Sequence, residues 1–224
     1  LKLDRFAPTE LAADVAVGAM GFLSNADALI IDLRQNSGGS ASMIRLLATY
    51  FFDDHQHLIS WYERDTEETV QSWTGDYVPG VRRPDIPLFG LPSRPTASAA
   101  EEFSFDMQHL ERATLVGDTT AGAGHTVASV FAHFDGFRIG MRMPYGRAFD
   151  PKTGEGWEGR GVVPHLVVPE EDAPTIAHLA ALDSLAHRVE LPALREELAW
   201  ARQDLEARLH PVELPGDKLQ EYTG

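Results

Sequence analysis

Arg94-Pro-Thr-Ala-Ser-Ala-Ala-Glu-Glu-Phe-Ser-Phe-Asp106 follows closely on the apolar run Ile86-Pro-Leu-Phe-Gly-Leu91. The run has the length of a short buried strand. Beyond it, Ala99, Phe103, Met107 and Leu110 are spaced four, four and three apart, the apolar stripe of a helix on a core. Ser98 therefore stands at the corner where strand becomes helix. A helix N-terminus offers free N–H groups and the positive end of a dipole. A hydroxyl held there suits acyl transfer, in which a nucleophile needs donors beside it to hold an oxyanion. Ser98-x-x-Glu101 also fits a capping box, in which the serine only satisfies backbone donors. On this motif alone the cap is the commoner reading, because capping serines far outnumber catalytic ones.

Outward from this corner the chain alternates strands and helices. Residues 6–23 read as a helix, with Pro8 in the first turn and Leu11, Val15, Ala19 and Phe22 on one stripe. Ala28-Leu-Ile-Ile-Asp-Leu33 is apolar almost throughout, as a strand covered on both faces is. It ends in Arg34-Gln-Asn-Ser-Gly-Gly39-Ser40, after which Ile44, Leu47, Tyr50 and Phe51 mark a helix. Strand, Gly-Gly turn and helix make one β-α unit, whose turn lies where open α/β sheets put their sites. Residues 58–62 and 69–73 predict a hairpin across Glu63-Arg-Asp-Thr-Glu-Glu68. A proline-punctuated connection over 79–87 leads to the strand before Ser98. Residues 113–117 predict a further buried strand running into Asp118-Thr-Thr-Ala-Gly-Ala-Gly-His125. A second hairpin joins 127–134 to 137–143 through Asp135-Gly136. Five glycines between 145 and 161 predict a long surface loop, and 162–168 a last strand. Helices are expected from about Pro174 to Val189 and from Pro192, the second carrying Leu194, Leu198, Ala201, Leu205 and Leu209 on one stripe.

Composition bounds the function. With 224 residues, 43% of them hydrophobic, the chain can build one large core. Nineteen Lys and Arg against 34 Asp and Glu give a net charge of −15, which argues against nucleic acid or an anionic membrane surface as partner. There is no cysteine, hence no disulfide, thiolate metal site or cysteine nucleophile. No apolar run approaches the ~20 residues that span a bilayer. Both ends read as internal to a longer protein.

Three motifs stand in order: Asp32-Leu-Arg-Gln-Asn-Ser-Gly-Gly39, Thr96-Ala-Ser-Ala-Ala-Glu101 and Arg112-Ala-Thr-Leu-Val-Gly-Asp-Thr-Thr-Ala-Gly122. Together they resemble the tail-specific (C-terminal processing) serine peptidase family. Leu3-Asp-Arg-Phe6, Trp73, Gly80-Val-Arg-Arg83, Ala99-Ala-Glu-Glu-Phe103 and Gly154-Glu-Gly-Trp-Glu-Gly159 resemble its branch with tricorn protease and interphotoreceptor retinoid-binding protein. The resemblance implies an α/β fold, a crotonase- or Clp-peptidase-like spiral of β-β-α units with C-terminal helices. It divides the chain into a peptidase-like core over 1–182 and a helical extension over 183–224 that leads into a further segment. The stretch between Glu10 and Asp27 is too short for the PDZ module that many relatives carry.

The resemblance reverses the balance at Ser98, which becomes the expected nucleophile of a serine endopeptidase acting on peptide or unfolded protein segments. It implies an oxyanion hole from the Ala99 N–H and from Gly38 or Gly39, and glycine suits that close approach of backbone to substrate. Relatives with a Ser–Lys dyad carry a lysine where this chain has Ala123, so that dyad is excluded as written. Tricorn-like relatives instead use a glutamate, matched here by Glu158, and a histidine upstream of the core, beyond Leu1. Within the chain the best-placed base is His125, in the loop that holds the lysine of the dyad enzymes. His55 and His57 beside Asp53-Asp54 are a weaker metal candidate, and no metal or cofactor is expected. Expected partners are a peptide or protein substrate and, beyond that, further copies of the chain as a homo-oligomer. Relatives are often exported, which favours a periplasmic or secreted setting. The competing readings are a non-catalytic retinoid- or fatty-acid-binding module on the same fold and, with less support, a crotonase-like acyl-thioester enzyme.

Overall fold

The computed structural model describes residues 1–209. Its elements in chain order are α1 (Thr9–Phe22), β1 (Leu29–Asp32), α2 (Ala41–Thr49), β2 (His57–Glu63), β3 (Glu68–Trp73), β4 (Leu88–Leu91) and α3 (Ala99–His109). There follow β5 (Thr114–Gly117), β6 (His125–Phe134), β7 (Phe137–Phe149), β8 (Leu166–Val167), α4 (Ala173–Ala186) and α5 (Pro192–Glu206).

Two sheets result. The apolar runs pair in parallel in the order β1-β4-β5-β8, and the two hairpins join as an antiparallel sheet in the order β3-β2-β7-β6. Twice the chain passes through a hairpin, then a strand of the parallel sheet, then a helix: β2-β3 to β4 to α3, and β6-β7 to β8 to α4. This is the mixed α/β spiral expected from the sequence. The parallel strands carry apolar residues on both faces because both are covered. One face packs against α1, α2 and α3 through Ile31, Ile44, Leu47, Leu88 and Phe103, the other against α4 through Phe89, Val116, Ile176 and Ala180. A third cluster, Ile59, Leu115, Ala148, Trp157 and Val162, joins the two sheets.

Several expectations change in detail. The helix over 9–22 forms, but Leu11, Val15 and Phe22 face outward, and Met20, Ala12 and Ala16 pack inward instead. Spacing alone does not choose between two apolar stripes on an alanine-rich helix. The region read as a surface loop from 145 is strand as far as Phe149, because Gly146–Phe149 pair with β2. Residues 162–168 contribute only the two-residue strand β8. The C-terminal extension is described to residue 209, and the rest of it, 210–224, lies outside the described residues. No helix among the described residues is long and apolar enough to cross a membrane.

Candidate active site

Ser98 adopts φ 54° and ψ −123°, a backbone conformation that side chains other than glycine rarely take. Such strain costs on the order of 1–3 kcal/mol and persists only where the surroundings over-determine it. Here they do, from two sides. From the loop after β1, the carbonyls of Leu33, Arg34 and Asn36 accept bonds from Thr96 Oγ1 (2.8 Å), Ser93 Oγ (2.6 Å) and the Ala97 N–H (3.1 Å). From the loop after β5, the Ala121 N–H donates to the Thr96 carbonyl at 3.0 Å.

Glu101 is the centre of this arrangement, and its side chain is fully buried. One carboxylate oxygen accepts from the Ser98 N–H and the Ala123 N–H, both at 2.8 Å. The other accepts from Thr120 Oγ1 and the Gly122 N–H, both at 2.6 Å. Of the capping box read from Ser98-x-x-Glu101, the bond from the Ser98 N–H to Glu101 is present, and the same carboxylate also clasps the 120–123 loop to the Ser98 corner. Sequence reasoning missed these three further bonds, since they join residues about twenty positions apart.

The loop after β1 meets the same corner. A Cβ on Gly38 would lie 2.8 Å from Ser98 Cβ and 3.0 Å from the Ala99 nitrogen. Only glycine allows this approach, and its φ of +108° excludes other residues as well. The expectation that Gly38 or Gly39 donates to an oxyanion divides here. The Gly38 N–H is already taken by Asn36 Oδ1 at 2.9 Å, so Gly38 is corrected from donor to close-packing residue. The N–H groups of Gly39 and Ala99 have no protein partner among the described residues, and both residues border one cleft with Ser98.

That cleft has a volume of about 390 Å3, and His125 borders it too. His125 Nδ1 lies 3.4 Å from Glu158 Oε1. Glu158 Oε2 accepts from the N–H groups of Gly124 (2.6 Å) and His125 (2.8 Å). The carboxylate thus grips both backbone and ring of the residue it orients. Trp157, 2% exposed, anchors the Glu158 loop against Phe105 at a ring distance of 5.2 Å. Ser98, Ala99, Gly39 and His125 thus border one cleft, and Glu158 is joined to it through His125 and the Gly124 N–H. A larger cavity, about 870 Å3, lies against α4 and α5, and none of these residues borders it. His55 and His57 lie elsewhere, both packed on Trp73 at 5.0 and 4.4 Å. His57 Nε2 is within 3.2 Å of Ser60 Oγ.

Two acids were not singled out from sequence. Glu102 borders the cleft and Asp106 lies one helical turn further along α3; both are buried, with Glu102 Oε1 and both Asp106 oxygens lacking partners. Burial pushes the Glu102 carboxyl up to about 8, against a smaller pull from Arg45. Burial, and secondarily Glu102, raises Asp106 well above the carboxylate range.

Residues 1–168 match the model of a known family, described as Peptidase family S41. The chain belongs to this family. A carboxyl-terminal-processing protease from a Synechocystis species is 34% identical over 118 residues, 53% of this chain and 26% of the relative. Another, from a Picosynechococcus species, is 28% identical over 177 residues, 79% of this chain and 40% of the relative. The chain thus spans well under half the length of these curated relatives. Among solved structures, the photosystem II D1 C-terminal processing protease aligns with a TM-score of 0.59 and 22% identity, over 76% of this chain and 42% of its own. A putative S41 protease from Bacteroides fragilis aligns with a TM-score of 0.61 and 17% identity, over 92% and 53%. At such identities the likeness is one of fold, and it agrees with the S41 spiral described above. Within this S41 chain, Ala123 occupies the place where the resemblance implied a lysine in dyad enzymes, and its N–H serves Glu101.

Proposed function

We propose that this S41 chain is the core of a serine-type peptidase whose acid–base group is complete within it. Ser98 Oγ attacks a peptide carbonyl. His125 takes the serine proton and returns it to the leaving amine, while Glu158 fixes the ring and stabilises the imidazolium that forms. The Ala99 and Gly39 N–H groups bind the oxyanion, aided by the N-terminus of α3. The observation that carries this reading is His125, held by Glu158, bordering the same cleft as a strained serine and two free N–H donors.

The test is labelling of the full-length protein with a fluorophosphonate. Label is expected on Ser98 and lost in Ser98→Ala. His125→Ala is expected to slow labelling by roughly 10²–10⁴-fold, and Glu158→Gln by less. Labelling that proceeds at the wild-type rate in His125→Ala would assign the base to another group.

A further inference from the structure

The cleft contains two polar groups that the proposed acid–base chemistry leaves idle. Glu102 is 2% exposed, borders the cleft beside Ser98 and Ala99, and has no partner for Oε1. Trp157 borders the same cleft, is equally buried, and has no partner for its indole N–H. That nitrogen lies 3.3 Å from where a Cβ on Gly124 would stand, and Gly124 lines the cleft as well. Behind Glu102, Asp106 leaves two more carboxyl oxygens unsatisfied. No Lys or Arg among the described residues forms an ion pair with either acid.

Buried polar groups in native proteins nearly always have partners, and an orphan costs on the order of 1–3 kcal/mol. A group that fills this cleft should therefore supply donors to the acids and an acceptor to the indole. An apolar side chain supplies neither. An acidic one adds charge of the wrong sign. A peptide residue with a basic side chain supplies both, through its ammonium or guanidinium and its backbone carbonyl. Glu102 lies four positions after Ser98 on the same helix, one turn from the nucleophile.

We propose that Glu102, backed by Asp106, forms a subsite selecting lysine or arginine at the residue whose carbonyl Ser98 attacks, with the Trp157 N–H holding a backbone carbonyl of the same segment. This rests on the peptidase reading. Burial disfavours the charged form of both acids. An arriving cation favours the Glu102 carboxylate, whose proton leaves to solvent, so binding of a basic residue tightens as pH rises. Among the charged neighbours, Glu63 on β2 adds to the attraction, while Arg142 on β7 and Arg45 on α2, both exposed, oppose it; His125 on β6 borders the same space. The net charge of −15 draws cationic segments from a distance.

The test uses the full-length protein carrying Ser98→Ala and two fluorescent alanine-based peptides, one with a central lysine and one with norleucine. The lysine peptide is expected to bind roughly tenfold more tightly, about 1.4 kcal/mol, with the preference growing from mildly acidic to mildly alkaline pH. Glu102→Gln should remove the preference. If that variant does not fold, Asp106→Asn and the pH series on the Ser98→Ala protein carry the test. Equal affinities at every pH, or a preference that survives Glu102→Gln, would overturn the proposal. Fluorophosphonate labelling separates the two readings. Label on Ser98 without lysine preference removes only the subsite, and lysine preference without label removes only the nucleophile.

Discussion

At the scale of the residue, Ser98 and Glu101 show function and stability pulling in opposite directions. Ser98 holds a positive φ that only the surrounding bonds enforce. Ser98→Gly should therefore stabilise the protein by about 1 kcal/mol while abolishing labelling, since glycine takes that conformation freely and is nearly as good a cap. Thermal melting would show it, and a lower melting temperature would mean that the serine hydroxyl contributes more than the strain costs. Glu101 is the reverse case. Its carboxylate accepts four bonds, three of them from backbone N–H groups. In Glu101→Gln one acceptor becomes an N–H2 donor, which faces two backbone N–H groups if turned toward Ser98 and Ala123, or the Gly122 N–H and the Thr120 hydroxyl if turned the other way. The expected loss is about 2–4 kcal/mol, measured by chemical denaturation, together with slower labelling as the 120–123 loop loosens. A variant as stable as wild type would show that water replaces the lost acceptor.

At the scale of the element, α3 explains what could and could not be read from sequence. Its apolar stripe, Ala99, Phe103 and Met107, was legible because the period of 3.6 marks a core-facing side. Glu101 and Ser104 on the far side, and Glu102 and Asp106, which follow Ala99 and Phe103 by three positions and flank the stripe, read as solvated and are in fact buried. Nothing in the periodicity says that two loops and a second sheet will cover them. The Ser98 corner and the Gly-Gly turn were legible for a related reason, since each needs particular residue types. The partnership of His125 with Glu158 was not, because it depends on the path of β6 and β7 between them. The two glycines also differ in what they protect. A Cβ on Gly39 would stand 1.9 Å from the Phe6 carbonyl oxygen, and Phe6 packs at 5.6 Å on Phe103 of α3. Gly39→Ala should thus dislodge residues 1–6 from β1 and cost roughly 3 kcal/mol or more, seen as faster proteolysis near the N-terminus. Protease resistance equal to wild type would mean that the turn shifts at little cost.

At the scale of the whole molecule, the buried acids set how stability depends on pH. Burial raises Glu102 from its ordinary 4.5 to about 8, and Asp106 is raised as well. The folded protein therefore binds more protons than the unfolded chain between these limits, and stability falls as pH rises through them. Each such group contributes a slope of up to about 1.4 kcal/mol per pH unit. Asp32 and Asp150 act oppositely. Burial raises each, but the bonds from Arg34 and from Lys152 and Thr153 outweigh it and leave both below the usual range. Their contribution is present above their unfolded values and is lost only as pH falls through their folded ones. His109 and His165 add a third trend: burial lowers both below the usual histidine range, so their contribution is present above the unfolded value and is lost as pH falls through the folded one. The double variant Glu102→Gln with Asp106→Asn keeps similar shapes and removes both ionisations. From about pH 5 to pH 8 its melting temperature should rise relative to that of the wild type as pH increases, because only the wild type keeps the two raised carboxyl groups. A wild-type curve parallel to that of the double variant over that interval would mean that water reaches the floor of the cleft and hydrates these acids, and the lysine-selective subsite would lose its dry, unpartnered carboxyl groups with it.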